Sequence, residues 1–311
     1  MLVNLLSGKS FLARIIPGIL FLVLFCFKIY PVTIEWQPIT STLLFLISML
    51  ITLMFFQYTP LIKNNGLSSW YFFIWMLCFS SDLQDFRMNA SLLVCSLIFW
   101  RILVAEQSLD NKKVLFEIGF LLSISSFFYP PSLFLAGFLI FVYIYMQSLN
   151  LKGFLLFIIG FTLPMALGLQ LLYLADEISW LKEYQYAFYL DFWRGKLWAL
   201  IPIGVLILIS WVDHLSQSGT QDINKRHKYF LTFLYFINWI GILIFFGGDN
   251  LQTLTFLGLP IALFLTRFTQ YRKSEKTKEV LLWLYLIIMA GFYFRIEIME
   301  IYEDLLGNVS F

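Results

Sequence analysis

Apolar runs separated by short polar or proline-marked breaks recur along the whole chain. A membrane span needs about 20 predominantly apolar residues, and shorter ones are tolerated where protein shields the backbone. Eleven runs fit, at approximately 11–30, 41–58, 68–80, 89–104, 114–128, 132–147, 153–174, 196–212, 229–247, 254–269 and 280–295. The pattern predicts an all-α integral membrane protein of about 11 transmembrane helices in a single polytopic domain, 1–311. The longest gap, from Ala175 to Lys196, leaves no room for a soluble domain. The first run, Phe11 to Tyr30, is followed by no small-residue cleavage site, so it is expected to remain as a membrane anchor.

Basic residues orient these runs, because short cytoplasmic loops retain Lys and Arg. With the N-terminus inside, fifteen of the 21 Lys and Arg fall on the inner side, including Lys112-Lys113, Lys225-Arg226 with Lys228, and the group from Arg267 to Lys278. Twelve of the 19 acids fall outside, so the inner face carries +8 and the outer face −6. The C-terminus is then outside. The same division decides the break at Tyr129-Pro130-Pro131. A mere kink there would throw both late basic clusters outward, so a reversal at the outer face is expected.

Between the seventh and eighth runs, Ile178, Leu181, Tyr184, Phe188 and Phe192 recur at helical spacing, with Glu177, Lys182, Asp191 and Arg194 largely opposite. This predicts an amphipathic helix over Asp176 to Arg194, lying in the outer interface or forming a lid over a site reached from the membrane.

Composition agrees with the pattern. The chain is 60% apolar, 20% aromatic and 13% charged, with a mean hydropathy of +0.81. A soluble domain carries about 25% charged residues, and a net charge of +2 gives nucleic acid no purchase. Cys26, Cys78 and Cys95 lie inside apolar runs with no CxxC, so they read as small buried hydrophobes. His214 and His227 share one inner loop and read as solvated. Phosphate-binding, dinucleotide, HExxH and GxSxG motifs are all missing.

Candidate chemistry therefore rests on carboxylates in the outer loops. Glu35 precedes Trp36 in the first, Asp82 and Asp85 flank Leu83-Gln84 in the second, and Asp249 follows Gly247-Gly248 in the fifth. Loop acids are ordinarily solvated. If Glu35, Asp82 and Asp85 converge at the outer mouth they can act as general base or hold a divalent cation against a diphosphate, with Arg87 and Asp249 as substrate-binding partners. Deeper in, the short third run and Ser123, Ser125 and Ser126 of the fifth point either to a cavity wall or to close helix packing. Arg101 and Glu117, at the inner ends of the fourth and fifth runs, either snorkel or pair with each other.

The stretch Asn89 to Tyr145, with Asn89-Ala90, Trp100-Arg101, Lys112-Lys113, the Gly119 to Phe128 span and Tyr129-Pro130-Pro131, resembles an uncharacterised family of short bacterial polytopic inner-membrane proteins. Phe246-Gly247-Gly248-Asp249-Asn250 and the following Thr253 to Phe268 are similar to that family as well. More distantly, the first stretch resembles the core of polyprenyl-phosphate-sugar-dependent glycosyltransferases of the GT-C type. That resemblance implies acids on the first and second outer loops, an outer amphipathic helix and a lipid-linked sugar donor. The chain departs from the GT-C pattern in having the lone Glu35 where an acidic pair is usual, and in lacking a large extracytoplasmic domain.

Two classes of function follow for a multi-pass protein of the bacterial inner membrane. One is cell-envelope biogenesis on a polyprenyl-linked glycan or lipid substrate at the outer side. The other is a non-enzymatic subunit, a scaffold or translocating component, of a cell-envelope complex.

Overall fold

The computed structural model describes residues 36–58, 61–62, 66–79, 85–105, 112–145, 151–176, 197–217, 223–246 and 251–293. The expected first span, 11–30, and the segment after Asp176 expected to form the amphipathic helix lie outside these residues. Ten α-helices are described: α1 (Trp36–Tyr58), α2 (Leu67–Phe79), α3 (Phe86–Ala105), α4 (Lys112–Phe128), α5 (Leu135–Tyr145), α6 (Leu151–Leu174), α7 (Leu197–Gln217), α8 (Ile223–Phe246), α9 (Gly258–Tyr271) and α10 (Glu275–Tyr293). Each coincides with one of the later ten apolar runs. Two 3-10 segments, Pro130–Phe134 and Leu251–Leu257, lead into α5 and α9.

Among the described residues, three stretches, Phe86–Val104, Leu151–Leu174 and Lys225–Phe246, are long and apolar enough to cross a membrane. The expected number was about eleven. α2 falls short by length, since at about 1.5 Å per residue its 13 residues reach about 20 Å against a hydrocarbon core of about 30 Å, whereas α10, at 19 residues, opens with the charged Glu275, Lys276, Lys278 and Glu279. Tyr71, Phe72, Trp75, Met76 and Phe79 of α2 are all buried, so this helix sits in the interior of the bundle. By contrast, only 11% of the apolar window of α6 is buried.

Successive helices run in alternating directions. Ser41 of α1 meets Asn89 of α3, and Phe55 meets Phe99, so α1 and α3 are parallel. Ser91 pairs with Ser125 and Arg101 with Glu117, so α4 returns along α3. At the Pro130-Pro131 break α4 ends at Phe128, and Tyr129 adopts an extended φ of −132°, the conformation a following proline imposes. The chain then turns back. Tyr143 of α5 reaches Phe157 of α6, whose carbonyl lies against Gly119 of α4. The reversal expected from the double proline is present.

Aromatic rings tie the bundle through its centre. Phe99 of α3 lies 4.4 Å from Tyr235 of α8 between ring centroids, and Tyr235 meets Phe138 of α5 edge-on. Tyr285 of α10 meets Tyr71 of α2 at 4.9 Å and also donates to its carbonyl at 2.8 Å. Ring packing and interhelical hydrogen bonds of this kind hold the helices to one another.

Candidate functional site

The first turn of α3 lies at one end of the bundle, together with the starts of α1 and α9 and the end of α4. Asp85 immediately precedes α3, and its Oδ1 accepts the Met88 N–H at 3.0 Å. It is therefore the N-cap of the helix, answering one of the amide donors that a helix start leaves open. Arg87, two residues on, is exposed. Glu35, Asp82 and Asp249 lie outside the described residues. Among the described residues, no group of three or more His, Cys, Asp and Glu side chains gathers to hold a metal ion.

One turn below Asp85, polar side chains join three elements. Asn89 Nδ2 donates to Ser41 Oγ on α1 at 2.8 Å, and Gln252 Nε2 donates to Asn89 Oδ1 at 3.4 Å from the 3-10 segment before α9. All three residues are at most 2% exposed. A buried amide that kept no partner would cost about 1–3 kcal/mol, so the three elements are held in register by mutual need. Burial also withdraws Asn89, within the Asn89-Ala90-Ser91 sequon, from modification.

A second polar cluster lies alongside. Ser125 of α4 bonds Ser91 of α3 at 2.8 Å and donates to Ser132 of the 3-10 turn at 3.0 Å, with Cys95 Sγ 3.0 Å away. Ser126 turns back to the Ser123 carbonyl in its own helix. Of the two alternatives for the serines, Ser125 thus serves helix packing. Next to it, Tyr129 stacks on Phe256, rings 5.5 Å apart and 19° from parallel, and its buried hydroxyl has no hydrogen-bond partner among the described residues. Burial pushes the Tyr129 phenol above its ordinary value, so it keeps its proton and remains a donor.

At the opposite end, Arg101 and Glu117 pair at 2.7 Å. They border an open groove of about 590 Å³ between α3 and α4, lined otherwise by apolar side chains such as Leu97, Trp100, Phe116 and Phe120. Pairing was one of the two outcomes their positions allowed. The two histidines sit on helices rather than in a loop: position 214 falls in the last turn of α7, and His227 in the first turns of α8.

Residues 1–302 match DUF6427, a family of unknown function. The chain belongs to the DUF6427 family. No curated protein and no solved structure matches it. The DUF6427 match takes in nearly the whole chain, including α1, α3, α4 and the 3-10 segment before α9, so the Ser41–Asn89–Gln252 linkage lies wholly within the family's extent.

The sequence offers Asp85 as a catalytic candidate and not as the cap that the structure shows, although an Asp placed just before an apolar run is the usual signature of a helix start. Asn89, Ser41 and Gln252 were missed. Their signal is an amide or hydroxyl inside or beside an apolar run, which has meaning only once the partner helix is known.

Proposed function

We propose that this DUF6427 protein is a multi-pass protein of the bacterial inner membrane that acts in envelope biogenesis, binding a polyprenyl-linked glycan or lipid substrate at the Asp85 end of the bundle. In this reading eleven helices alternate across the membrane, with the N-terminus and the Arg101 end inside. The short helices α2 and α5 are completed by protein around them rather than by lipid. The fifteen-to-six division of basic residues supports that orientation, and the alternating run of the ten described helices is compatible with it.

The observation that carries the binding role is the Ser41–Asn89–Gln252 linkage, a buried polar layer directly beneath Asp85 and Arg87. Amides and hydroxyls bonded between helices fix the elements that carry them, so this layer holds the start of α3, α1 and the 3-10 segment before α9 rigidly beneath the proposed site. Above this layer, Arg87 is suited to a phosphate and the Asp85 carboxylate oxygen not engaged with Met88 to a sugar hydroxyl. The Tyr129 hydroxyl, unpartnered among the described residues, adds a donor at this end. Glu35 adjoins α1 and Asp82 lies three residues before Asp85 in sequence. The distant GT-C resemblance would make the reaction glycosyl transfer from a polyprenyl-phosphate sugar, with one of these acids as base.

One observation favours the non-enzymatic alternative. Asp85 already has a structural task as a helix cap, which needs no substrate. Asparagine caps as well as aspartate, so Asp85→Asn removes the charge and keeps the cap. In a strain that depends on this protein for envelope integrity, Asp85→Asn at normal protein level is expected to abolish complementation. Full complementation would leave the subunit role standing and remove the catalytic one.

A further inference from the structure

Arg267 was counted in the sequence as one more basic residue of an inner-side cluster, yet its side chain is 4% exposed. It sits on α9, at the end of the bundle away from Asp85. Its guanidinium carbon lies 3.7 Å above the centre of the Tyr229 ring and 5.2 Å from that of Tyr271. Among the described residues, neither Nη1 nor Nη2 has a hydrogen-bond partner. Five residues on along the same chain, Arg272 provides the contrast: it is paired with Asp213 at 3.1 Å while only partly buried. The more deeply buried of the two cations is the one without a carboxylate among the described residues.

A guanidinium stays charged at any pH a protein experiences, so burial cannot be relieved by losing the proton. An aromatic face offsets part of the desolvation and satisfies none of the N–H donors. Basic residues flank Tyr229 in sequence, with Lys228, 8% exposed, immediately before it and Lys225 and Arg226 on the preceding turn. Tyr229 in turn donates to the Leu61 carbonyl at 2.7 Å, which fixes its ring beneath the guanidinium. Tyr271, the second ring near the guanidinium, is 46% exposed, so the surface is closest on that side.

We propose that Arg267 is the centre of an anion site for a phosphate group, with the two Nη atoms forming the bidentate fork and Tyr229 the platform. This site is separate from the Asp85 end and does not depend on the function proposed there. A phosphate presents paired oxygens at the spacing a guanidinium fork matches, which an ammonium cannot reproduce. The phosphate has two sources, free phosphate in solution or the headgroup of an anionic phospholipid.

The test uses the full-length protein in a maltoside detergent, which carries no phosphate, and follows thermal unfolding by tryptophan fluorescence. In one arm inorganic phosphate replaces chloride at equal ionic strength. In the other, phosphatidylglycerol is added to the micelles, with diacylglycerol as the phosphate-free control. A ligand that binds only the folded protein raises the melting temperature. At least one arm is expected to raise it for the wild type, a response to inorganic phosphate identifying a soluble anion and a response to phosphatidylglycerol alone identifying a headgroup. Arg267→Gln should raise the half-saturating concentration about tenfold or more, as loss of charge-assisted hydrogen bonds requires. If that variant does not fold, Arg267→Lys takes its place, keeping the charge and losing the fork. No response in either arm, or half-saturation equal to wild type in the folded variant, overturns the site.

Discussion

Gly119 of α4 and Gly160 of α6 face each other so closely that neither has room for a side chain. A Cβ on Gly119 would lie 2.3 Å from the Phe157 carbonyl oxygen, and one on Gly160 would lie 2.4 Å from that of Phe116. Each obstacle is backbone on the opposite helix, which cannot rotate away. Small residues on both sides let two helices approach in this manner, and α6 has its closest packing here while much of its remaining surface is exposed.

Alanine at either position should therefore push α4 and α6 apart. Overpacking of this kind costs about 1–3 kcal/mol, more than the helix propensity alanine brings. Gly137 and Gly204 serve as controls, since a Cβ there meets nothing within 4 Å. Unfolding in a denaturing detergent should show Gly119→Ala and Gly160→Ala destabilised, and Gly137→Ala and Gly204→Ala unchanged or slightly more stable.

The linkage between Asn89 and Ser41 should appear as a coupling energy. Hydrogen bonds between membrane helices measured by double-mutant cycles average about 0.6 kcal/mol and reach about 1.7 kcal/mol. With Asn89→Ala, Ser41→Ala and the double variant, a coupling in that range is expected. Strict additivity would mean that the 2.8 Å contact contributes nothing to holding α1 on α3.

Asp85 separates cap from charge in a stability measurement as well. Asp85→Ala should destabilise by about 0.5–2 kcal/mol, through loss of the bond to the Met88 N–H, whereas Asp85→Asn should lie close to wild type. Equal destabilisation by both would show that the charge, and not the cap, supports the fold.

The Arg101–Glu117 pair is expected to matter little. The two side chains are 37% and 46% exposed, and exposed ion pairs contribute about 0–1 kcal/mol, less as salt rises. Glu117→Gln should shift detergent unfolding by under about 1 kcal/mol, with the difference shrinking at high ionic strength. A larger, salt-insensitive loss would place the pair in a drier environment than its exposure indicates.

Helices were legible because apolar length and proline breaks are local signals, and the Pro130-Pro131 reversal because proline restricts the residue before it. Arg101 and Glu117 could be narrowed to pairing or snorkelling from their places at the facing ends of neighbouring runs. What the sequence left hidden is long-range. Asn89 looks the same in the chain whether it faces lipid or Gln252, and Arg267 looks like any loop cation until Tyr229, 38 residues earlier in the chain, is found beneath it. Gly119 and Gly160 differ from Gly137 only in what lies opposite.

Binding at the Asp85 end is tested most directly by what the protein carries out of the membrane. Full-length protein extracted in native lipid discs from cells that make polyprenyl-linked glycans can be assayed by mass spectrometry for bound polyprenyl species, beside Asp85→Asn and Arg87→Gln. Retention by the wild type and loss from both folded variants is expected. Wild-type protein without any polyprenyl species, or variants that retain them equally, would contradict a substrate site built on Asp85 and Arg87.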